Sequence, residues 1–315
     1  MNDNRHPPVD DGLNVIDGIV QRFTSDEEVP GRAEVGDTLA SHAQGIARYG
    51  RLRYVTHSDK KSAAGVLIVV RDKQIITQIH LPPRTLDNQA LNHAGGIQRI
   101  GRFLVMPLEP MADAAVSLLT FWDLGNPEAP CEIEALAIPS NTRKAGSAGI
   151  ANVGSGTAER WYVAACDNGH ITVYSSPAFP AKPFTLAFED SLRHSYESVC
   201  LVGDRLNKLY ALAFRREHAI VGRDLIDVFT IDVQKGKLNP IKRLHQITSG
   251  TLKGDVHFRW GAGIDIEDDG QITVLATKRN FDSLFLTTAE RAMLEARGAD
   301  LAVLDRRFHI NLFSH

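Results

Sequence analysis

One pattern recurs five times along the chain and restricts its folds more than any other feature. A short run opening on a small residue leads through a turn into a mostly apolar run of β-branched, aromatic and small residues. Gly45-Ile-Ala-Arg-Tyr-Gly50 leads into Leu52–Thr56, and Gly96-Ile-Gln-Arg-Ile-Gly101 into Phe103–Met106. Gly149-Ile-Ala-Asn-Val-Gly154 leads into Trp161–Ala165, Ser198-Val-Cys-Leu-Val-Gly203 into Leu209–Phe214, and Gly263-Ile-Asp-Ile-Glu267 into Ile272–Ala276.

The copies open at residues 45, 96, 149, 198 and 263, spacings of 51, 53, 49 and 65. Such a period belongs to four-stranded propeller blades, and each copy has the chemistry of an inner hairpin. Small residues suit innermost strands, where backbones crowd around a narrow axis. The expected fold is therefore all-β: a five-bladed β-propeller of four-stranded blades.

The first blade runs over His42–Leu81, with outer strands at Gly65–Val70 and Gln74–His80. The second covers His93–Ile138, its second strand ended by Pro107 and Pro110 and its outer strands at Ser117–Trp122 and Glu132–Ile138. The third spans Gly146–Phe188, the fourth Ser195–Ile247, and the fifth begins at Trp260. A capping box from Thr287 to Glu290 and a closing Gly298 predict a short helix inserted in the last blade over Thr287–Arg297. The chain ends on what reads as a third strand, Phe308–Phe313, so Ile19–Phe23 is expected to supply the fourth and close the ring. Residues 1–17 read as a flexible N-terminal tail and 18–315 as a single domain.

Composition narrows the partners. A net charge of −3 with a pI near 6.5 argues against a nucleic-acid binder. No apolar run is long enough for a membrane span, and the polar start is no secretion signal, so a cytoplasmic protein is expected. Cys131, Cys166 and Cys200 lack metal-ligand spacing and read as reduced core residues.

The whole resembles the five-bladed β-propellers over roughly residues 18–315. The phrases His93-Ala-Gly-Gly-Ile-Gln98 and Tyr162-Val-Ala-Ala-Cys-Asp167 look like those of a loosely defined group of bacterial propeller proteins. The resemblance implies architecture and no activity, since five-bladed propellers include both lectins and glycoside hydrolases.

No metalloprotease, nucleophile-elbow or phosphate-loop motif occurs. Topology is the better guide, because the connection entering each first strand and the one leaving each second strand share a face near the axis. Entering are His42, His93, Tyr196, Glu197 and Trp260, and leaving are His57, Glu109, Asp167, Arg215 and Lys278. Five different residues at the equivalent leaving positions favour one asymmetric central site over five equal sugar sites.

His42, His93 and Glu197 are the candidate catalytic groups, and their donor atoms would also suit a metal. His57, Glu109, Asp167, Tyr196, Arg215, Trp260 and Lys278 are the candidate ligand-binding residues. Arg215, Arg216, Lys278 and Arg279 would bias such a site toward an anion. Two readings stand open: binding of a small polar, anionic molecule at the mouth of a central channel, or a hydrolase or lyase, metal-dependent or not, at the same mouth. A protein-interaction scaffold is the third, and the sequence names no cofactor.

Overall fold

The computed structural model describes residues 11–17, 25–30, 43–58, 64–72, 74–217, 223–246, 256–267, 270–277 and 307–313. Antiparallel strands dominate, grouped in sheets that follow the repeat.

Sheet 1 comprises Ala43–Tyr49, Leu52–Ser58, Gly65–Arg71 and Gln74–His80 in chain order. Sheet 3 comprises Ser147–Val153, Arg160–Asp167, His170–Ser176 and Thr185–Ser191. Sheet 4 comprises Ser198–Gly203, Leu209–Arg216, Asp224–Asp232 and Lys237–Gln246. Sheet 5 runs from His257–Ile266 through Ile272–Thr277 to Arg307–Phe313, which pairs in turn with Ser25–Pro30. Ser25 stands opposite Leu312 and Pro30 opposite Arg307. Ile19–Phe23, Thr287–Arg297, Lys278 and Arg279 lie outside the described residues.

Sheet 2 departs from the expected plan in two places, each with a local cause. Its second strand, Phe103–Glu109, runs straight through Pro107 instead of ending there. The Pro107 carbonyl accepts the Gly95 N–H at 3.0 Å, so this residue's hydrogen-bonding edge faces the first strand. Proline has no N–H to return, and the first strand accordingly splits into His93–Ala94 and Gln98–Ile100. Gly96 turns instead to sheet 3, its N–H donating to Gly146 O at 2.8 Å. The expected outer strand Glu132–Ile138 is likewise broken, into Cys131–Glu132 and Ile138–Ser140, by a 3-10 turn over Glu134–Leu136 that buries Leu136.

Second and third strands carry the core. Gly65–Arg71 is buried at every position but its last, with Leu67 and Val69 packing toward sheet 2 and Val66, Ile68 and Val70 toward sheet 5. Two buried faces explain a continuous apolar run where a half-exposed strand would alternate. The outermost strand of sheet 3, Thr185–Ser191, is mostly exposed and polar.

Hydrophobic clusters fill the gaps between sheets 1 and 2, 2 and 3, 3 and 4, 4 and 5, and again 5 and 1. Each fully buried Leu, Val or Phe there contributes about 1.5–3 kcal/mol. The arrangement is that of a propeller, with the first strands innermost.

Those inner strands meet so closely that the axis is filled, and the expected central channel is not found among the described residues. A Cβ at Gly149 would stand 2.9 Å from Cys200 Cα, closer than side chains tolerate, so only glycine fits. Gln98 occupies the space. Its Oε1 accepts from Ile150 N at 2.9 Å and Leu201 N at 2.7 Å, and its Nε2 donates to Leu201 O at 2.8 Å, tying sheets 2, 3 and 4 together. Arg99 next to it donates to Asp265 at 2.7 Å, and Arg48 reaches the other oxygen at 2.8 Å.

Residues 11–17, read from sequence as part of a loose tail, are ordered by contact with this body. Helix α1, Gly12–Asp17, inserts Ile16 into the cluster between sheets 4 and 5, and Gly12 N–H donates to Asp204 Oδ2 at 3.3 Å. Cys166 and Cys200 are buried and unbridged, and burial pushes both thiols up to about 12. Cys131, expected in the core, is exposed because its strand is a two-residue edge fragment.

Candidate functional site

The face where first strands begin and second strands end gathers a small group of acids. Glu109 closes the second strand of sheet 2 opposite His93, which opens the first. Their side chains meet, His93 Nδ1 to Glu109 Oε1 at 3.0 Å, while His93 Nε2 lies 2.8 Å from the Gln44 amide nitrogen of sheet 1. An amide nitrogen only donates, so His93 Nε2 accepts from Gln44 and Nδ1–H is turned to Glu109. This fixes the ring and one carboxylate oxygen. Glu109 Oε2 is buried and makes no hydrogen bond among the described residues, and so does Ser147 Oγ at the start of sheet 3.

Asp167 ends the second strand of sheet 3 and accepts from Asn168 Nδ2 at 2.8 Å. Burial raises its pKa, the Glu109 charge raises it further, and Lys144 pulls it back. Glu197 enters sheet 4. It keeps an accessible surface, yet the protein around it is dense enough that burial lifts its carboxyl above the usual range, with Arg259 opposing. Asp167 and Glu197 both raise the Cys166 thiol. Glu109 thus acts on Asp167, and Asp167 and Glu197 each act on the same thiol.

The other expected site residues go elsewhere. His57 is fully buried in the second strand of sheet 1, so no ligand at the surface reaches it. Tyr196 is buried, its hydroxyl donating to Asp227 Oδ2 at 2.8 Å and its ring edge-on to Phe229. Arg215 donates from Nε to the same oxygen at 3.2 Å, and Arg216, nearly sealed, pairs with Asp224 at 3.3 Å. Both guanidinium groups already have carboxylate partners, Arg215 sharing Asp227 with Arg243, so neither stands as a counterion waiting for a ligand at the mouth. His42 and Lys278 lie outside the described residues, as does the Trp260 side chain. No set of three or more His, Cys, Asp or Glu among the described residues is arranged to hold a metal.

Sequence reading missed Lys144 and Arg259, the cations that temper Asp167 and Glu197. Lys144 stands three residues before Ser147, in the connection entering sheet 3, and that position was its available signal. Arg259 directly precedes Trp260 in the connection entering the fifth blade, and that position was its signal too.

No family model and no curated protein matches this sequence. Among solved structures, the chain is similar to the catalytic domain of a Coprinopsis cinerea GH62 alpha-L-arabinofuranosidase, at 11% identity and a TM-score of 0.46 over 93% of this chain and 97% of that one. It is also similar to fructan 1-exohydrolase IIa from Cichorium intybus, at 12% identity and a TM-score of 0.47, covering 90% of this chain and 57% of that one. A hypothetical protein from Leishmania major aligns at 10% identity with a TM-score of 0.47, over 94% of this chain and 91% of that one.

Proposed function

We propose that the mouth is the active site of a hydrolase that cleaves a glycosidic bond in a neutral, hydroxyl-rich substrate, with Glu197 as general acid and Glu109 as general base or nucleophile. The observation that carries this reading is a Glu197 carboxyl raised by burial on the same face as a Glu109 that His93 holds by one oxygen. Glycoside hydrolysis needs one carboxyl that holds its proton and one that stays ionised. Glu197 is pushed toward the protonated form. Glu109 is held by His93 on one oxygen, and its second oxygen makes no hydrogen bond among the described residues. Asp167 would accept substrate hydroxyls.

Three acids against Lys144 and Arg259 suit a neutral polyol better than an anion. The same reading takes the chain as a five-bladed propeller closed by its N-terminal strand, supported by the pairing of Ser25–Pro30 with Arg307–Phe313 and by the cluster joining sheets 5 and 1.

The test is a panel of 4-nitrophenyl glycosides with wild-type protein, Glu197→Gln and Glu109→Gln. At least one substrate should turn over, and each variant should lose roughly 10²–10⁴-fold in kcat/KM, the usual share of acid–base catalysis. Since the Glu197 pKa is raised, the acid persists above the ordinary glutamate value of about 4.3, and activity should fall on the alkaline side as it ionises. Glu197→Gln should flatten that limb. Full activity in both variants would overturn the assignment.

A further inference from the structure

Beyond the mouth, a groove of about 380 Å3 lies between the segment Ser191–Tyr196 and the two outer strands of sheet 4. Its size falls within the range of small-molecule sites, about 300–1,000 Å3. We propose that it is a second binding site, for a small organic anion whose oxyanion group meets Arg243 and Arg193 and whose apolar or aromatic body rests on Leu192, Phe229 and Leu238.

The argument begins with Asp227, the one carboxylate lining the groove among the described residues. It accepts from Tyr196 at 2.8 Å, Arg215 Nε at 3.2 Å and Arg243 Nη2 at 3.1 Å, with a further bond from Arg243 Nε. One negative charge therefore answers two guanidinium groups, and the surplus stays positive. Arg193 and Lys242 add further cations to the groove's lining.

Asp227 also fixes the direction of Arg243. Nε and Nη2 are bound to the carboxylate, which sets the planar group rigidly while its side chain remains 41% exposed. Nη1 makes no hydrogen bond among the described residues, so the outward end of a pre-oriented fork is available to an oxyanion. His194 lines the same groove, 3.4 Å from Arg243 Nη2 through Nε2. Its pKa is lowered, first by burial and then by Arg215, Arg243 and Arg193 against Asp227, which is how a neighbouring imidazole registers a positive field.

Below the charges the floor is apolar: Phe229 and Leu238 are buried, and Ile241 presents 40% of its surface at the bulge opposite Val228 and Phe229. A cationic edge over an apolar floor fits an aryl or alkyl oxyanion and selects against a bare inorganic ion.

Full-length protein titrated calorimetrically with benzoate and with phenylphosphonate, and with benzyl alcohol as neutral control, tests this. At least one anion should bind at low salt, and the alcohol should bind roughly tenfold more weakly or worse. The stronger of the two anions decides between carboxylate and phosphonate as the preferred head group. Arg243→Gln should weaken binding roughly tenfold or more, and the exposed Arg193→Gln several-fold without disturbing the fold. Should Arg243→Gln fail to fold, Arg193→Gln decides alone. Glu197→Gln should bind as wild type, because the groove does not use the mouth. Absence of anion binding, unchanged affinity in Arg193→Gln, or loss in Glu197→Gln would each overturn the proposal.

Discussion

Two buried polar side chains govern the stability of the regions they serve. Gln98 satisfies three backbone groups, on Ile150 and Leu201, that lie 52 and 103 residues away. Gln98→Leu keeps the bulk and orphans them all, each at about 1–3 kcal/mol, so a loss of at least about 3 kcal/mol is expected in chemical denaturation. A loss below about 1 kcal/mol would mean that water replaces the amide.

Asp227 is the second such side chain. Burial pushes its carboxyl up, but bonds from Arg243, Tyr196 and Arg215 outweigh this and hold it below the usual range. Its folded pKa lies under the unfolded one, so its stabilisation is complete above about pH 4 and disappears as pH falls through the folded value. Asp227→Asn should cost about 2–3 kcal/mol at pH 7, less than a fully buried pair because Arg243 is partly exposed. The gap between wild type and Asp227→Asn should close in acid; a constant gap from pH 7 to pH 3 would contradict the assignment.

Two N-terminal elements have separable tasks. Helix α1 seals the cluster between sheets 4 and 5 through Ile16, which is fully buried beside Tyr210 and Ile264. Ile16→Ala should cost about 2–4 kcal/mol and leave the sheets intact, seen as a lower Tm with unchanged far-ultraviolet circular dichroism. Ser25–Pro30 covers the edge of Arg307–Phe313. Deleting residues 1–30 uncovers that edge and should cause aggregation, whereas deleting 1–17 should destabilise without it. Equal solubility of the two truncations would dissociate edge protection from this strand. The elements most legible in the sequence were the inner hairpins and third strands, because apolar runs between turn residues are local signals. Pro107 was misleading: a proline ends a strand only if its missing N–H was needed, and here the partner strand breaks instead.

At the scale of the whole molecule, every interface between sheets is a continuous apolar cluster, and Gln98, Arg99 and Asp265 bind inner strands to one another across the axis. No sheet can leave without stripping two neighbours. Calorimetry should therefore record one unfolding transition, and two well-separated transitions would show the sheets to be independent. At the mouth, Glu197 remains open to solvent while feeling the surrounding wall.

The sequence by itself determined the period, the strand order within each unit, the glycine-lined inner strands and the face on which Glu109, Asp167 and Glu197 stand. These follow from backbone preference and from alternation or continuity of apolar residues, which act over a few neighbours. Tertiary structure alone decided which charges are already spent. Arg215 and Arg216 looked like a ligand's counterions, but Asp227 and Asp224 on the adjacent strand already pair with them, and Arg48 finds Asp265 across 217 residues. Ion pairs depend on side-chain direction and distance after packing, and no spacing along the chain encodes either.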